Sequence, residues 1–493
     1  MSSATLGQTE LGHIPIEFIE RIEVIKGPLS GIYGADAVGG VVQIFTKNGG
    51  DTKSSIELQA GSFAHNKAIA AFNSSHFRFS ASREQNNGID ATQNTAQGND
   101  DSDSFEESAI NLGANFNLNA STKLAITGLL ADNEIEFDNT FGADTGFLTE
   151  NELANLSANI TGRFSDTIKW SNTLGYTENN AFTEAFAVFG SGQFDTQRLT
   201  LSSQLDVKLS EHSTFIIGSD YYDEDVTTDA DFAETTRDNV GIFTQYQNQF
   251  GPIGLVANLR FDDNSAFGNE TNGSIGLTYK ITPYTQLSAS YGTAFRAPTF
   301  NALFFPFSGN INIQPEESES VEISLRGSFG ANNSSAWRVS VFDTEITNLI
   351  EFPAPNFIAS NVNEASIQGV ELELSTQLGH WNLAGSLNFL DAINESTDEQ
   401  LILRPEQSLK FSIDRQFGNL LLGADLLAEN GRFSPAGIEL DNYERIDLKA
   451  AYTINKHFKL SAKIGNLTDE DTQLVSGFNT EERSIFVSGK YTF

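Results

Sequence analysis

Not one cysteine occurs in the 493 residues, which removes disulfides, thiolate metal centres and cysteine nucleophiles but leaves the compartment open. Methionine is absent after residue 1. No apolar run approaches the roughly 18 residues of a membrane helix, so spanning by helices is excluded. Basic residues are scarce, 29 against 65 acidic, for a formal charge of −36. With no basic stripe to neutralise phosphates, nucleic acid is excluded as a partner. The catalytic patterns G-x-S-x-G, H-E-x-x-H and G-x-G-x-x-G are missing, and His13, His65, His76, His212, His380 and His457 are scattered along the chain. No catalytic residues are expected, and the protein does not read as an enzyme. Met1–Gly7 has no basic region, apolar core or small-residue cleavage site, so it is not a signal peptide.

What is present is a period of two. Phe458, Leu460, Ala462 and Ile464 share one face of a strand, as do Ile446, Leu448, Ala450 and Tyr452, and Ile485, Val487, Tyr491 and Phe493. About 22 such segments are joined alternately by very short and by long connections. Ser165-Asp166, Gly251-Pro252, Thr282-Pro283 and Phe417-Gly418-Asn419 are tight. Asn86–Ser108, Asp132–Glu152, Thr177–Thr196, Ala294–Ser318 and Ala392–Gln407 are far longer than a hairpin needs. Sorting of connections by length, with half of each strand apolar, predicts an all-β, transmembrane antiparallel β-barrel in an outer membrane. A soluble β-sandwich has no reason to sort its loops this way. Phe164, Trp170, Tyr279, Tyr284 and Trp381 cluster near the tight turns, where amphipathic rings suit a membrane–water boundary.

The charge is concentrated. Asn86–Ser108, Asp132–Glu152, Thr177–Thr196 and Asp223–Asp238 hold 23 acidic residues and one basic, Arg237. If the long connections share a side, that side is strongly negative. It is either a solvated surface or one that attracts divalent cations and cationic ligands.

Ile14–Asn48 breaks the pattern. A strand, Phe18–Lys26, ends at Gly27-Pro28. A glycine-rich stretch with Tyr33, Gly34, Gly39 and Gly40 follows, and then a second strand, Val41–Lys47. The run Glu20-Arg21-Ile22-Glu23-Val24-Ile25-Lys26-Gly27-Pro28 followed by Ile32-Tyr33-Gly34-Ala35-Asp36-Ala37-Val38-Gly39-Gly40 closely resembles the end of the plug domain of TonB-dependent outer-membrane receptors. Further marks of that family appear in order. Tyr291–Phe300 with Gly309-Asn310 and Gln314-Pro315-Glu316 looks like its "FRAP … GN … PE" loop. Asn466-Leu467-Thr468-Asp469 resembles its "NLFD" motif, and Tyr491-Thr492-Phe493 its aromatic C-terminal end.

The resemblance implies about 22 strands around a partial N-terminal plug inside the lumen. Residues 1–50 would be the C-terminal remnant of the plug and 51–493 the barrel. It implies a monomer in the outer-membrane lipid of a Gram-negative bacterium, working with the TonB energising complex. The family's plug is longer and begins with the TonB box, which is absent from these residues. An upstream extension with an export signal is therefore expected. Within the family the chain looks most like the cobalamin receptor subgroup, with ferric-siderophore receptors as the alternative and a passive porin-like channel as the rival outside it. Arg21, Glu23, Gly27, Pro28, Tyr33, Gly34, Gly39 and Gly40 carry the plug motif. Phe295, Arg296, Pro298, Phe304 and Phe305 are the expected ligand-binding loop, although Arg296 also suits an interior arginine paired with a carboxylate. Asp100, Asp101 and Asp103 resemble a calcium-binding loop, which would make calcium a possible ligand of the outer loops. No other cofactor is implied.

Overall fold

The computed structural model of the protein describes residues 3–7, 9, 11–47, 53–93, 101–138, 147–184, 192–330, 333–352 and 356–493. Twenty-two antiparallel strands close into a barrel, each pairing with its sequence neighbour. The ring shuts where the last strand, Ser484–Thr492, pairs with the first, Ser55–Gly61. The expected boundary at 50/51 falls outside the described residues. Among the described residues no helix is long and apolar enough to cross a membrane.

Alternation decides the two faces. In the strand Gly268–Thr282, Ile275, Leu277, Tyr279 and Ile281 are each about half exposed, on the outside of the ring. Between them Ser274, Gly276, Thr278 and Lys280 face the lumen. A wall with apolar residues outside and polar residues inside is stable only if lipid surrounds it. The tight turns lie at one end with an aromatic fringe. Phe164 packs on Trp170 at 5.9 Å, Trp381 on Phe417 at 6.4 Å, and Tyr491 on Phe493 at 5.1 Å.

The strands are longer than the alternation indicates. Asp132–Glu152 reads as one loop in the sequence. In the fold Thr122–Glu136 and Leu148–Arg163 continue as a hydrogen-bonded ladder into both ends of it. Likewise Ile168–Thr183 and Gln193–Lys208 run far into Thr177–Thr196. Above the apolar band both faces meet water, so the apolar period vanishes while backbone pairing persists. One consequence is like charge opposite like charge: Asp132 faces Glu152, Glu134 faces Glu150, Asp223 faces Asp238, and Glu319 faces Glu345. Directly opposed like charges destabilise a sheet. Raising salt from about 0.01 M to about 1 M shortens the screening length from roughly 30 Å to roughly 3 Å. The thermal midpoint in a neutral detergent is therefore expected to rise with NaCl concentration. A midpoint that falls with salt would show that attraction, not repulsion, dominates these ladders.

Inside the ring, the described residues between 3 and 47 form a separate body. Ile19–Lys26 and Gly40–Thr46 pair as a two-stranded hairpin that shares no ladder with the wall. Its base is pinned by Phe18, fully buried with Ile14 against Ile69, Ala109, Leu129, Ala131 and Leu153 of the wall. Burial of a phenylalanine on this scale contributes about 2–3 kcal/mol.

Candidate functional site

The glycine-rich turn meets the barrel wall. Gly27 turns the chain at φ 95° and its N–H donates to the Gly39 carbonyl at 3.1 Å. After Pro28 the short helix Ser30–Tyr33 lies on the strands Ile253–Asn264 and Gly268–Thr282. Two glycines permit that approach. A Cβ on Gly31 would sit 1.9 Å from Asn258 Oδ1 and 3.1 Å from the Gly273 Cα. Gly34, at φ 82°, would bring a Cβ to 3.1 Å from the Arg260 guanidinium. Arg260 donates to the Ile32 carbonyl at 3.3 Å while bridging Asp220 at 2.6 Å and Asp262 at 2.8 Å.

Arg21, Glu23 and Tyr33 stay within the hairpin body. Arg21 lies 3.6 Å over the Phe45 ring and donates to Glu23 at 2.6 Å, and Tyr33 accepts from Gln43 at 3.2 Å. Gly40 closes the turn at φ 146°, and Gly39 faces open space. Lys26 reaches the opposite wall, 2.5 Å from Glu371 and 3.1 Å from Glu373. Burial by itself would lower its ammonium, but these two carboxylates hold it above its usual value.

The loop between the strands Thr285–Arg296 and Glu316–Phe329 divides into two parts. Its first part grips the plug. Phe295 is 1% exposed, its N–H donates to Ser30 Oγ at 3.4 Å, and its carbonyl accepts from the Asp36 N–H at 2.9 Å. Arg296 pairs across the ladder with Glu316 at 3.5 Å, the interior pairing that its sequence context allowed. The Pro298 carbonyl accepts from Arg237 at 2.8 Å, and Arg237 binds the buried Glu224 at 2.6 Å. Thr299 Oγ1 accepts from Ala302 N–H and caps the helix Phe300–Phe304. The Phe300 N–H donates to the Ala4 carbonyl at 3.0 Å. A cavity of about 520 Å³ remains between this turn and the wall, beside Tyr33, Asp36, Arg198 and Glu224. Enclosure raises the Asp36 carboxyl against the pull of Arg237, Arg296 and Arg198.

The second part faces the mouth. Phe305 stacks on Phe194 at 6.3 Å and meets Phe232 edge-on at 6.3 Å, and Phe304 packs on Phe300 at 5.9 Å. Phe307 stands 97% exposed at φ 69°. Of the expected ligand loop, then, Phe295 bonds to the plug, Arg296 and Pro298 are tied to Glu316 and Arg237 of the wall, and Phe304 and Phe305 belong to an aromatic cluster at the mouth. Phe194 and Phe232 were not legible as members of it. Phe232 is a lone ring in an acidic stretch and Phe194 is one of four phenylalanines in its own, so nothing in the sequence brings the two together.

Asp100 lies outside the described residues. Asp103 accepts from the Ala91 N–H at 2.8 Å, and Asp138 accepts from Thr92 through both N–H, at 3.1 Å, and Oγ1, at 2.8 Å. Burial pushes the Asp103 carboxyl up to about 6, aided by the charges of Asp138, Asp101 and Asp90. Asp138 Oδ1 is buried without a hydrogen-bond partner, the kind of oxygen a cation would satisfy. Among the described residues, however, no three acidic or histidine side chains converge closely enough to hold a metal ion. This loop packs on another outer loop, where the Gln93 N–H donates to the Gly477 carbonyl at 2.9 Å. The latter is organised by Asn466, whose side chain donates to the Glu470 carbonyl at 2.9 Å, and by Asp469, which pairs with Arg483 at 2.7 Å.

Comparison with known proteins agrees with this architecture. The family described as "TonB dependent receptor-like, beta-barrel" matches residues 47–467, and the "TonB-dependent Receptor Plug Domain" matches residues 1–41. The Vitamin B12 transporter BtuB of Photobacterium profundum is 29% identical over 511 residues, spanning 100% of this chain and 83% of that protein. The protein of that name from Vibrio cholerae serotype O1 is 27% identical over 513 residues, spanning 99% and 82%. Among solved structures, the copper transporter OprC superposes with a TM-score of 0.82 at 17% identity, over 100% of this chain and 88% of that one. The siderophore receptor PiuA from Acinetobacter baumannii superposes with 0.79 at 17% identity, over 97% and 87%. At such identities the structural likeness speaks to the fold alone.

Proposed function

This chain belongs to the TonB-dependent receptor family of Gram-negative outer membranes, and from that premise we propose that it takes up a scarce, large ligand, cobalamin in the first instance. That family is one of receptors and transporters. Similarity along the whole chain to proteins named as vitamin B12 transporters carries the choice of ligand. The site is compatible with it. The mouth combines an aromatic cluster (Phe194, Phe232, Phe304 and Phe305) with acidic loops that repel polyanions and tolerate a neutral or cationic body. The ligand would rest on this cluster and on the top of the plug. The TonB complex would then pull the plug away from the contacts made by Gly31, Gly34 and Lys26. The barrel would act as a monomer in outer-membrane lipid, and no step requires bond chemistry. Calcium would act near Asp103 and Asp138, lowering their carboxyls and satisfying Asp138 Oδ1.

Titration of purified protein with cyanocobalamin, with and without a calcium chelator, tests this. Saturable binding that weakens in Phe305→Ala supports the reading, and chelator sensitivity would add the calcium element. Binding of a ferric siderophore and not of cyanocobalamin would replace the ligand. Binding of neither, with steady conductance in a bilayer, would favour a passive channel.

A further inference from the structure

The lumen wall opposite the plug turn carries a line of cations in a single register. Successive cross-strand partners run Lys280, Gln286, Arg326, Arg338, Glu373, Ser386, Lys410, Leu427 and Arg445, one residue from each of nine strands. Their sequence neighbours Tyr279, Ile281, Leu374, Leu409 and Phe411 are exposed on the lipid face, so the charged residues point inward. All five cations line a cavity of about 1080 Å³ in the half of the barrel nearer the tight turns.

The compensation is incomplete. Arg338 pairs with Glu322 at 2.5 Å and Arg445 with Asp447 at 2.9 Å. Glu373, the row's one carboxylate, is met by Lys26 of the plug at 3.1 Å, and Asp425 and Asp447, which also line the cavity, are met by Lys449 at 2.9 Å and Lys463 at 3.0 Å. Among the described residues no carboxylate lies within ion-pairing distance of Lys280, Arg326 or Lys410. Arg326 sits directly opposite Arg338, and the one carboxylate at this pair, Glu322, is on Arg338, so Arg326 faces a like charge without an anion of its own. In a chain with 65 acidic and 29 basic residues, three uncompensated cations around one cavity are not explained by composition.

We propose that this row is a binding site for an anionic oxygen group, a phosphate or a carboxylate, borne by the transported ligand. Two guanidiniums side by side offer forked donors to such a group, and Lys280 and Lys410 add point charges at the flanks. Together with the acidic mouth, this defines the cargo: a large, mostly neutral or cationic body with one anionic group. Polyanions are repelled outside, and the anionic group is received within. The inference rests on the receptor reading for its meaning, but its test needs no cargo.

The test is calorimetric titration of the 493-residue chain, in a zwitterionic detergent at low salt, with inorganic pyrophosphate. Saturable binding is expected, weakening as salt rises. It should fall by roughly tenfold in the combined variant Lys280→Gln, Arg326→Gln, Lys410→Gln, and should be unchanged in Asp398→Asn, in the outer connection after the strand Trp381–Asn394. Should the triple variant fail to form a barrel, Arg326→Gln serves alone. It removes one of two opposed like charges, so its thermal midpoint should not fall while its pyrophosphate affinity does. No binding by the unaltered chain, or equal binding by the folded variants, overturns the proposal and assigns the row to carboxylates of polypeptide. Cyanocobalamin binding on the same samples separates the two readings. Its failure alongside intact pyrophosphate binding removes the cobalamin assignment and leaves the anion site.

Discussion

Gly31→Val is expected to expel the plug turn from the barrel wall while leaving the barrel closed. The Cβ of any residue larger than glycine would fall 1.9 Å from Asn258 Oδ1. Asn258 cannot step aside at small cost, because its amide donates to Ser274 Oγ at 2.6 Å and its carbonyl oxygen accepts from the Ser274 N–H at 3.1 Å. Behind it the Gly273 backbone blocks retreat. Overpacking of this kind costs about 1–3 kcal/mol even where a core can relax, and a wall tied by continuous ladders relaxes less. The lighter partner moves, which is the helix Ser30–Tyr33. Trypsin should then cut at Arg21 and Lys26 much faster than in the unaltered chain, with the barrel still resistant. Gly39→Ala is the control: its added Cβ meets nothing within 4 Å, so cleavage should stay at the original rate. Equal protection in Gly31→Val would show that the turn does not dock on Asn258.

Removal of Glu224 should have the next largest effect. Its carboxylate is 2% exposed and binds Arg237 at 2.6 Å and Arg198 at 3.0 Å. Breaking an interior pair by deleting one partner leaves the other charge without compensation, at a cost of about 3–5 kcal/mol. The damage should spread along a definite path. Arg237 also holds the Pro298 carbonyl and lies 5.0 Å over the Phe300 ring, so it locks the loop that grips Ala4 and Ser30. In Glu224→Ala the amides of Phe300 and Ala302 should exchange with deuterium faster, and the thermal midpoint should drop. Glu224→Gln keeps the shape and part of the hydrogen bonding, so it should lie between. Unchanged exchange at Phe300 would mean that the loop is held by its own packing rather than through Arg237.

The two variants mark where sequence reasoning reached its limit. The glycine-rich turn was recognisable from residues alone, but nothing in the sequence ranks Gly31 above Gly34, Gly39 or Gly40. Glycine reports that a Cβ is excluded somewhere, and only the docked wall shows at which position and by what. The loop Ala294–Ser318 was likewise recognisable as a unit. Its division between plug and mouth was not, since Phe295 and Phe305 have the same chemistry and differ in what surrounds them. Strand ends above the membrane were read as loops, because water on both faces erases the period that reveals a strand.

By itself the sequence determined the barrel, its apolar outer side and the presence of a plug segment. Alternation of apolar and polar residues can be stable in only one surrounding, and the turn glycines tolerate little substitution. Tertiary structure alone decided which residues become neighbours across the lumen. Lys280, Arg326, Arg338, Lys410 and Arg445 stand far apart in the chain and form no motif. A period of two states which face a side chain occupies, whereas its partner on the next strand depends on ladder register, and register is a property of the closed ring.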